Sequence, residues 1–283
     1  MQKEIHNHQN KIAVINDFSG FGRCSIAVTQ PILSELRIQC CPVPTSIFSN
    51  HTGFPSFYFD DYTERMQPYI DEWKKLGLRF EGILTGFLGS DRQIRIVEDF
   101  IRDFKDERTT VIIDPVMGDH GKPYPTYTPE LCEAMRELVK KADILTPNLT
   151  EACILTKTVY DAEHFTLKDY RTIIGKLADM MESGNRRIVI SGLTLGQYIG
   201  NLVYEEGGKI SLIRTKRVGR ERSGTGDVYA SVIAADAVHG VEFTRSVRRA
   251  SDFVKKCILA SEALDIPTTD GVCFEEVLHT LRP

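Results

Sequence analysis

The residues best suited to chemistry stand late in the chain, in the run Arg222-Ser223-Gly224-Thr225-Gly226-Asp227. The sequence that follows, V-Y-A-S-V-I-A-A-D-A-V, predicts a helix. The backbone N–H groups of Gly224, Thr225 and Gly226 would then lack partners at the positive end of that helix. Such an arrangement is a binding site for a phosphoryl group.

Asp227 adds a carboxylate to this phosphate site. It could accept the proton of an alcohol that attacks the phosphoryl group. Glycines suit the site because a Cβ would hold a phosphate away from the N–H groups. The same residue types are equally common in ordinary helix caps, so the spacing alone leaves both interpretations open.

The composition is that of an ordinary globular protein whose partner is a small molecule. Of the 283 residues 42% are apolar and 26% charged, and the net charge is −4. This charge gives no electrostatic reason to bind nucleic acid or an anionic membrane. We find neither a membrane-spanning apolar run nor the apolar core of a signal peptide, and we expect a cytoplasmic protein.

The seven cysteines are scattered, at positions 24, 40, 41, 132, 153, 257 and 273. Their spacing indicates neither a disulfide framework nor a CxxC metal site, and the histidines form no HExxH pattern. Cys40 and Cys41 are adjacent in an apolar run, which predicts that they point to opposite faces of a strand.

Short apolar runs alternate with longer segments of helical period, which predicts an α/β protein with a mostly parallel sheet covered by helices. The predicted strands are 12–15, 41–47, 82–85, 110–113, 144–145 and 188–191. The predicted helices lie near 25–37, 63–76, 90–104, 129–140, 166–183, 225–239 and 244–264. Residues 197–204 and 209–215 predict a late β-hairpin. We expect one domain, 1–283, whose polar residues 1–10 form a disordered extension.

Polar, glycine-rich segments follow the predicted strands at their carboxyl ends, where open α/β sheets bind ligands. These segments are 16–22, 49–53, 86–90, 114–119 and 146–151. Each could be a simple turn, but so many at one edge favour a binding site.

Six segments of the chain resemble the pyridoxal kinase branch of the ribokinase-like superfamily in order and spacing. They are P-T-S-I-F-S-N-H-T (44–52), G-F-L-G-S (86–90), D-P-V-M-G-D (114–119), T-P-N-L-T-E (146–151), V-I-S (189–191) and S-G-T-G-D (223–227). The resemblance implies a three-layer α/β/α ribokinase-like fold and a homodimer. It also implies transfer of a phosphoryl group from ATP to the hydroxymethyl arm of a pyridoxal-like ring, in vitamin B6 salvage.

The resemblance also implies roles for single residues on the phosphate side of the site. Asp227 takes the position of the catalytic base, and Gly224, Thr225 and Gly226 that of the anion hole. The acidic positions near Mg²⁺ and the triphosphate are Asp114, Asp119 and Glu151. Asn148, Ser191 and Thr225 look like nucleotide-contacting positions. A K⁺ ion near the anion hole is common in the family, although nothing in this sequence independently requires it.

On the acceptor side, the ring calls for an apolar slot with few polar groups. The positions that the resemblance implies for it are Asp17, Ser19, Phe21, Thr45, His51 and Phe87. Asp17 stands where better-known members usually carry Ser, which would make that ring contact charged and leaves the preferred vitamer open. For the two phenylalanines, burial in the core is the commoner role in general and stays open as an alternative.

Four alternatives stay open. A hydroxymethylpyrimidine kinase would typically carry Cys in place of Asp227. A sugar or nucleoside kinase would show a Gly-Gly-rich entry that residues 18–22 only weakly match. A non-catalytic vitamer-binding protein would be expected to lose Asp227 or its glycines. A dinucleotide-binding oxidoreductase needs a G-x-G-x-x-G turn after the first strand, and the sequence lacks one there.

Overall fold

The computed structural model describes residue 6 and residues 8–208 and 210–282. The strands in these ranges are β1 (Lys11–Ser19), β2 (Gln39–Phe48), β3 (Phe59–Asp61), β4 (Gly82–Thr85), β5 (Thr110–Ile113), β6 (Gly118–Asp119), β7 (Lys122–Pro123), β8 (Ile144–Leu145), β9 (Arg187–Leu195), β10 (Tyr198–Glu205) and β11 (Ser211–Lys216). The α-helices are α1 (Ile26–Glu35), α2 (Thr63–Leu76), α3 (Asp91–Phe104), α4 (Pro129–Leu138), α5 (Leu149–Leu155), α6 (Leu167–Met180), α7 (Thr225–Val238) and α8 (Phe243–Ala263). Short 3-10 helices cover Val139–Lys141, Thr268–Asp270 and Glu275–Leu281.

Nine strands form one mixed sheet in the order β11-β10-β9-β8-β5-β4-β1-β2-β3. Within this sheet the parallel strands are β9, β8, β5, β4, β1 and β2. The hairpin of β10 and β11 adds antiparallel strands at one edge, and β3 adds one at the other. The predicted mostly parallel sheet with a late hairpin is confirmed. Because β1 lies between β2 and β4, its carboxyl end is a switch point of the topology, where such sheets bind ligands.

Helices cover both faces of the sheet and form two cores. Helices α2 to α6 pack on one face, and α1, α7 and α8 pack on the other. Strand residues alternate between the two cores, so that Ile15 lies in the first and Val14 in the second. Cys41 belongs to the first core and Cys40 packs against the second, which confirms that they point to opposite faces. The three-layer α/β/α architecture is likewise confirmed.

Several elements differ from the sequence-based prediction. Strand β1 continues to Ser19, four residues beyond the predicted end. Its pairing with β2 shifts register between Asn16 and Phe18, and this irregularity lets the strand continue past the polar residues. The short elements β3, β6, β7 and α5 were not predicted. The expected disorder of residues 1–10 falls largely on 1–5 and 7, which lie outside the described residues. No helix in the described ranges has the length and apolar character needed to cross a membrane.

Candidate active site

The predicted phosphate site lies at the N-terminus of α7. Gly224 precedes the helix in a left-handed conformation, with φ of 80°. A Cβ on Gly224 would lie 2.0 Å from the carbonyl oxygen of Arg23, so both its conformation and this close approach require glycine. Gly226 is exposed, and a Cβ there would meet nothing within 4 Å. The first turn of α7 therefore opens onto space that a phosphoryl group could fill.

The Asp227 carboxylate is half-buried and accepts a hydrogen bond from Asn16 Nδ2, at 3.3 Å on its Oδ1. Burial raises the pKa of Asp227 to about 6, and the negative charge of Asp17 adds to this effect, while the nearby Ser25 backbone and the Asn16 amide oppose it. At neutral pH the carboxylate is therefore ionised and able to take up a proton.

Asn16 joins three segments at the end of β1. Its Oδ1 accepts the backbone N–H groups of Asp17, at 2.9 Å, and Phe87, at 2.8 Å, while its Nδ2 faces Asp227. A Cβ on Gly86 would lie 2.4 Å from this amide, so the chain after β4 packs tightly on it. No role was predicted for Asn16, because a lone amide at a strand end has no distinctive spacing.

Asp17, predicted to contact the ring, is buried beside Asp227. Its Oδ1 accepts the hydroxyl of Ser25 at 2.5 Å, and its Oδ2 accepts that of Ser19 at 3.0 Å. Burial raises the pKa of Asp17, and the two hydroxyls oppose this effect. Ser19 is also buried. Contact of Asp17 or Ser19 with a ring stays a prediction.

Thr45 and Phe87 lie together at the ends of β2 and β4. Thr45 is fully buried, and its hydroxyl donates to the carbonyl oxygen of Phe87 at 3.0 Å. The half-buried ring of Phe87 packs edge-on against Phe48, with the ring centroids 6.4 Å apart. These contacts tie the two strand ends together on the acceptor side of the site.

His51 and Phe21 lie where the β2–β3 loop, residues 49–58, packs on the turn after β1. His51 Nδ1 accepts the N–H of Gly53 at 3.0 Å, and Nε2 lies 2.7 Å from the carbonyl oxygen of Thr269. These partners place the imidazole proton on Nε2. Phe54 packs on both His51 and Phe21, and Phe21 remains 53% exposed. The loop therefore packs on the turn after β1 and is bonded to Thr269.

Asp114 and Glu151, predicted to lie near a metal ion, follow β5 and β8. Asp114 Oδ1 accepts the hydroxyl of Thr146 at 3.0 Å. Glu151 is buried, and its two oxygens accept the backbone N–H groups of Asn148, at 2.8 Å, and Met117, at 3.2 Å. Both carboxylates thus have defined orientations.

The electrostatics of these carboxylates fit a cation. Burial, followed by the charge of Asp227, raises the pKa of Asp114 to about 8. Burial, followed by the charge of Asp114, raises the pKa of Glu151 well above its usual range. Among residues 8–208 and 210–282, no Lys or Arg forms an ion pair with Asp114, Glu151 or Asp227, so no basic side chain compensates their charge when they ionise. Two carboxylates suit Mg²⁺, which is usually bound by one or two of them together with waters and phosphates.

The residues predicted to contact the nucleotide lie in two places. Asn148 caps α5, donates from Nδ2 to the carbonyl oxygen of Gly118 at 2.9 Å, and forms an isolated parallel bridge with Ser191. Asp119 is exposed at the end of β6. Thr225 is separate from these, at the start of α7. Their contacts with a nucleotide stay predictions.

The C-terminal segment 268–275 closes the site on a side that the sequence did not indicate. Arg23 Nε forms an ion pair with Glu275 at 2.8 Å. The N–H of Val272 donates to the carbonyl oxygen of Ser223 at 3.0 Å. This segment thereby ties the turn after β1 to the residues that begin α7.

The chain is similar to kinases from several organisms. The model of the phosphomethylpyrimidine kinase family matches residues 75–271. The pyridoxine/pyridoxal/pyridoxamine kinase of Bordetella avium is 26% identical over 262 residues, which cover 87% of this chain and 83% of the relative. The pyridoxal kinase of Arabidopsis thaliana is 30% identical over 212 residues, covering 71% and 65%.

A solved structure from Bacteroides thetaiotaomicron is also similar to this chain. It is described provisionally as a phosphomethylpyrimidine kinase, in a crystal form with pyridoxal. It is 36% identical, with a TM-score of 0.91 and coverage of 96% of both chains. The resemblance to pyridoxal kinases that the six motifs indicate is confirmed by these relatives.

Proposed function

Because the chain belongs to the phosphomethylpyrimidine kinase family, and because pyridoxal kinases are among its relatives, we propose that it phosphorylates vitamin B6. The reaction transfers the γ-phosphoryl group of ATP to the 5′-hydroxymethyl group of pyridoxal, pyridoxine or pyridoxamine. One observation carries this proposal: the open N-terminal turn of α7 lies directly beside the Asp227 carboxylate. Phosphate binding and proton acceptance are thus available at one place.

In this reaction the hydroxymethyl oxygen attacks the γ-phosphorus, and the bond from phosphorus to the β,γ-bridging oxygen breaks. ADP leaves, and the hydroxyl proton passes to Asp227. Because the transition state is loose, the base acts mainly by orienting the hydroxyl and need not be strong. The backbone N–H groups of Gly224, Thr225 and Gly226 stabilise the charge on the transferred group.

The other predicted residues have supporting roles in the proposal. Asp114 and Glu151 would hold Mg²⁺, which supplies neutralisation of the triphosphate charge when it is bound. The nucleotide lies against Asn148, Ser191, Asp119 and Thr225. The acceptor lies against the side formed by Thr45, His51, Phe21 and Phe87, together with Ser19. A K⁺ ion at the anion hole, a homodimer and a cytoplasmic location complete the proposal, with the family resemblance as their support.

Hydroxymethylpyrimidine is the second candidate acceptor. The family model that matches residues 75–271 is that of phosphomethylpyrimidine kinases, and this favours keeping the alternative. Asp227 argues against it, because the resemblance implies that such kinases typically carry Cys at this position. Discrimination between the two rings rests on a few hydrogen bonds to the protein, each worth about 1 kcal/mol.

The test is a turnover assay of the full chain with Mg·ATP and four acceptors: the three B6 vitamers and hydroxymethylpyrimidine. We expect kcat/KM to be highest for a B6 vitamer, with phosphorylated product formed in step with ADP. In Asp227→Asn, kcat should fall by about 10²–10⁴-fold while the circular dichroism spectrum stays unchanged. Turnover of hydroxymethylpyrimidine alone, or full activity in Asp227→Asn, would refute the proposal.

A further inference from the structure

We propose that Asn16 and Asp17, at the end of β1, are positioning residues that hold the Asp227 carboxylate from two sides. Asn16 acts directly, and Asp17 acts through Ser25. The inference rests on the proposed function, since it concerns the orientation of the base in that reaction.

The direct contact comes from an amide that cannot turn over. Asn16 Oδ1 accepts two backbone N–H groups, from Asp17 and Phe87, and a turned amide would present N–H groups to both of these donors. The tight approach of Gly86 leaves the side chain no room to move away. Asn16 therefore presents Nδ2 to Asp227 Oδ1 in one orientation.

The indirect contact passes through the backbone of Ser25. Ser25 has φ of 58° and ψ of −137°, a conformation that a residue with a side chain adopts only when its surroundings impose it. It precedes α1 at the capping position, yet its side chain makes no cap hydrogen bond. Its hydroxyl instead donates to Asp17 Oδ1 at 2.5 Å. This bond stabilises the backbone conformation of Ser25, which lies close enough to Asp227 to lower the pKa of its carboxyl group.

The strand geometry explains how two consecutive residues serve one carboxylate. Neighbouring side chains of a regular strand point to opposite faces. The register shift between Asn16 and Phe18 falls at this point in β1. Such bulges reorient side chains, and they are frequent beside active sites. Because both oxygens of Asp17 are bonded to hydroxyls, we assign its role to Ser25 and Asp227 and not to the acceptor ring.

Asn16→Asp tests the direct contact. Aspartate retains an acceptor for the two backbone N–H groups, and it replaces the N–H donor that faces Asp227 with the oxygen of a second acidic group. We expect kcat with the preferred vitamer to fall by about 10–100-fold, as a misplaced catalytic group would cause. The KM values for the vitamer and for Mg·ATP should stay within about twofold, since the proposed function assigns no substrate contact to Asn16.

A matched control is Thr85→Val at the end of the neighbouring β4. Thr85 is as deeply buried as Asn16, and its hydroxyl has no hydrogen-bond partner among the described residues. The exchange preserves shape at the same edge of the sheet, and we expect kcat to be unchanged. Loss of kcat in both variants would show a general packing effect and would contradict the proposal.

Ser25→Ala, Asp17→Ala and the double variant test the indirect contact. If Asp17 acts through Ser25, each single substitution should lower kcat to a similar extent, about tenfold, and the double variant should lose little more. A ring contact by Asp17 would instead raise the KM for the vitamer in Asp17→Ala but not in Ser25→Ala. If Asp17→Ala does not fold, Ser25→Ala alone still decides, because unchanged kcat in that variant contradicts the indirect contact.

Failure of this inference differs from failure of the proposed function. A wild-type protein that phosphorylates no B6 vitamer would contradict both. A wild-type protein that phosphorylates a vitamer, together with an Asn16→Asp variant of unchanged kcat, would contradict only the positioning roles.

Discussion

At Asp227, burial and hydrogen bonding act on one carboxyl group in opposite directions. Burial disfavours the charged form, whereas the nearby Ser25 backbone and Asn16 Nδ2 favour it. The resulting pKa of about 6 lies above the usual carboxyl range and below neutrality. A base with this pKa is ionised at pH 7 and still has more affinity for a proton than an exposed aspartate.

This balance predicts the pH dependence of the reaction. Because only the ionised base accepts the hydroxyl proton, kcat/KM for the vitamer should rise with an apparent pKa of about 6 and then level off. Initial rates measured between about pH 5 and 8 with two vitamers would show this. If the apparent pKa of the pH profile belongs to the enzyme, it stays the same when the vitamer changes. An apparent pKa that changes with the vitamer would assign the titration to the substrate.

The residues of the site differ in how far the sequence could predict them. The helix start at Thr225 was predicted at the observed residue, because glycine, hydroxyl and carboxylate act there through local backbone geometry. The contacts of Asn16, Ser25 and Asp17 could not be predicted. They join residues up to 211 positions apart, and their geometry depends on a strand irregularity that has no local sequence signal.

At the scale of the element, the first turn of α7 contains two glycines with different functions. Gly224 has a left-handed φ, and a Cβ on it would collide with the Arg23 carbonyl group. Gly226 lies in the helix, and a Cβ on it would enter open space. The fold thus requires the first glycine but not the second, which the proposed function assigns to the phosphoryl group.

We therefore expect opposite outcomes for two alanine substitutions. Gly224→Ala should destabilise the protein by about 2 kcal/mol, because the backbone or the turn at Arg23 must shift. Gly226→Ala should change stability by less than about 0.5 kcal/mol. It should nevertheless lower kcat/KM for ATP by about 10²-fold, since the methyl group occupies the phosphoryl position.

Thermal unfolding and steady-state kinetics on both variants would check this difference. Each variant is the control for the other, because the change in side chain is the same. Equal losses of Tm in the two variants would contradict the assignment of Gly226 to the ligand.

Elements were predictable where their pattern is local and long enough. The bounds of β4, β5, β8 and α2 agree with the prediction, since apolar runs and helical period define them. Strands β3, β6 and β7 have only two or three residues each, which is too short for an apolar pattern to define them. Helix α5 does have a signal in the sequence, because Asn148 and Glu151 form a capping box with the N-x-x-E spacing.

At the scale of the whole molecule, the topology brings together segments from across the chain and concentrates their carboxylates. Asp227, Asp114 and Glu151 come from the ends of different elements and meet at the edge of the sheet without a basic partner in the described part of the chain. Such an arrangement costs stability in the absence of a cation, which is the usual compromise between stability and activity at a functional site.

This cost predicts how stability without ligands depends on pH. The folded-state pKa values of Asp227 and Asp114, about 6 and about 8, lie above the ordinary value of 3.8. The folded protein therefore binds more protons than the unfolded chain up to about pH 8, and its stability falls as pH rises through these values. Tm should drop by a few degrees between about pH 5 and 8 and then level off, at roughly 2–4 °C per kcal/mol.

Thermal unfolding with and without Mg·ADP, on the wild type and on Asp114→Asn, would test this prediction. The neutral side chain of Asp114→Asn removes the group that titrates near pH 8, so its Tm should fall less over the upper part of the range. Mg·ADP should reduce the fall in the wild type, because a cation bound at the carboxylates stabilises the form that is otherwise disfavoured. An equal fall in Tm in both proteins would show that the titrating groups lie elsewhere, and the carboxylates at the sheet edge would then not account for the cost in stability.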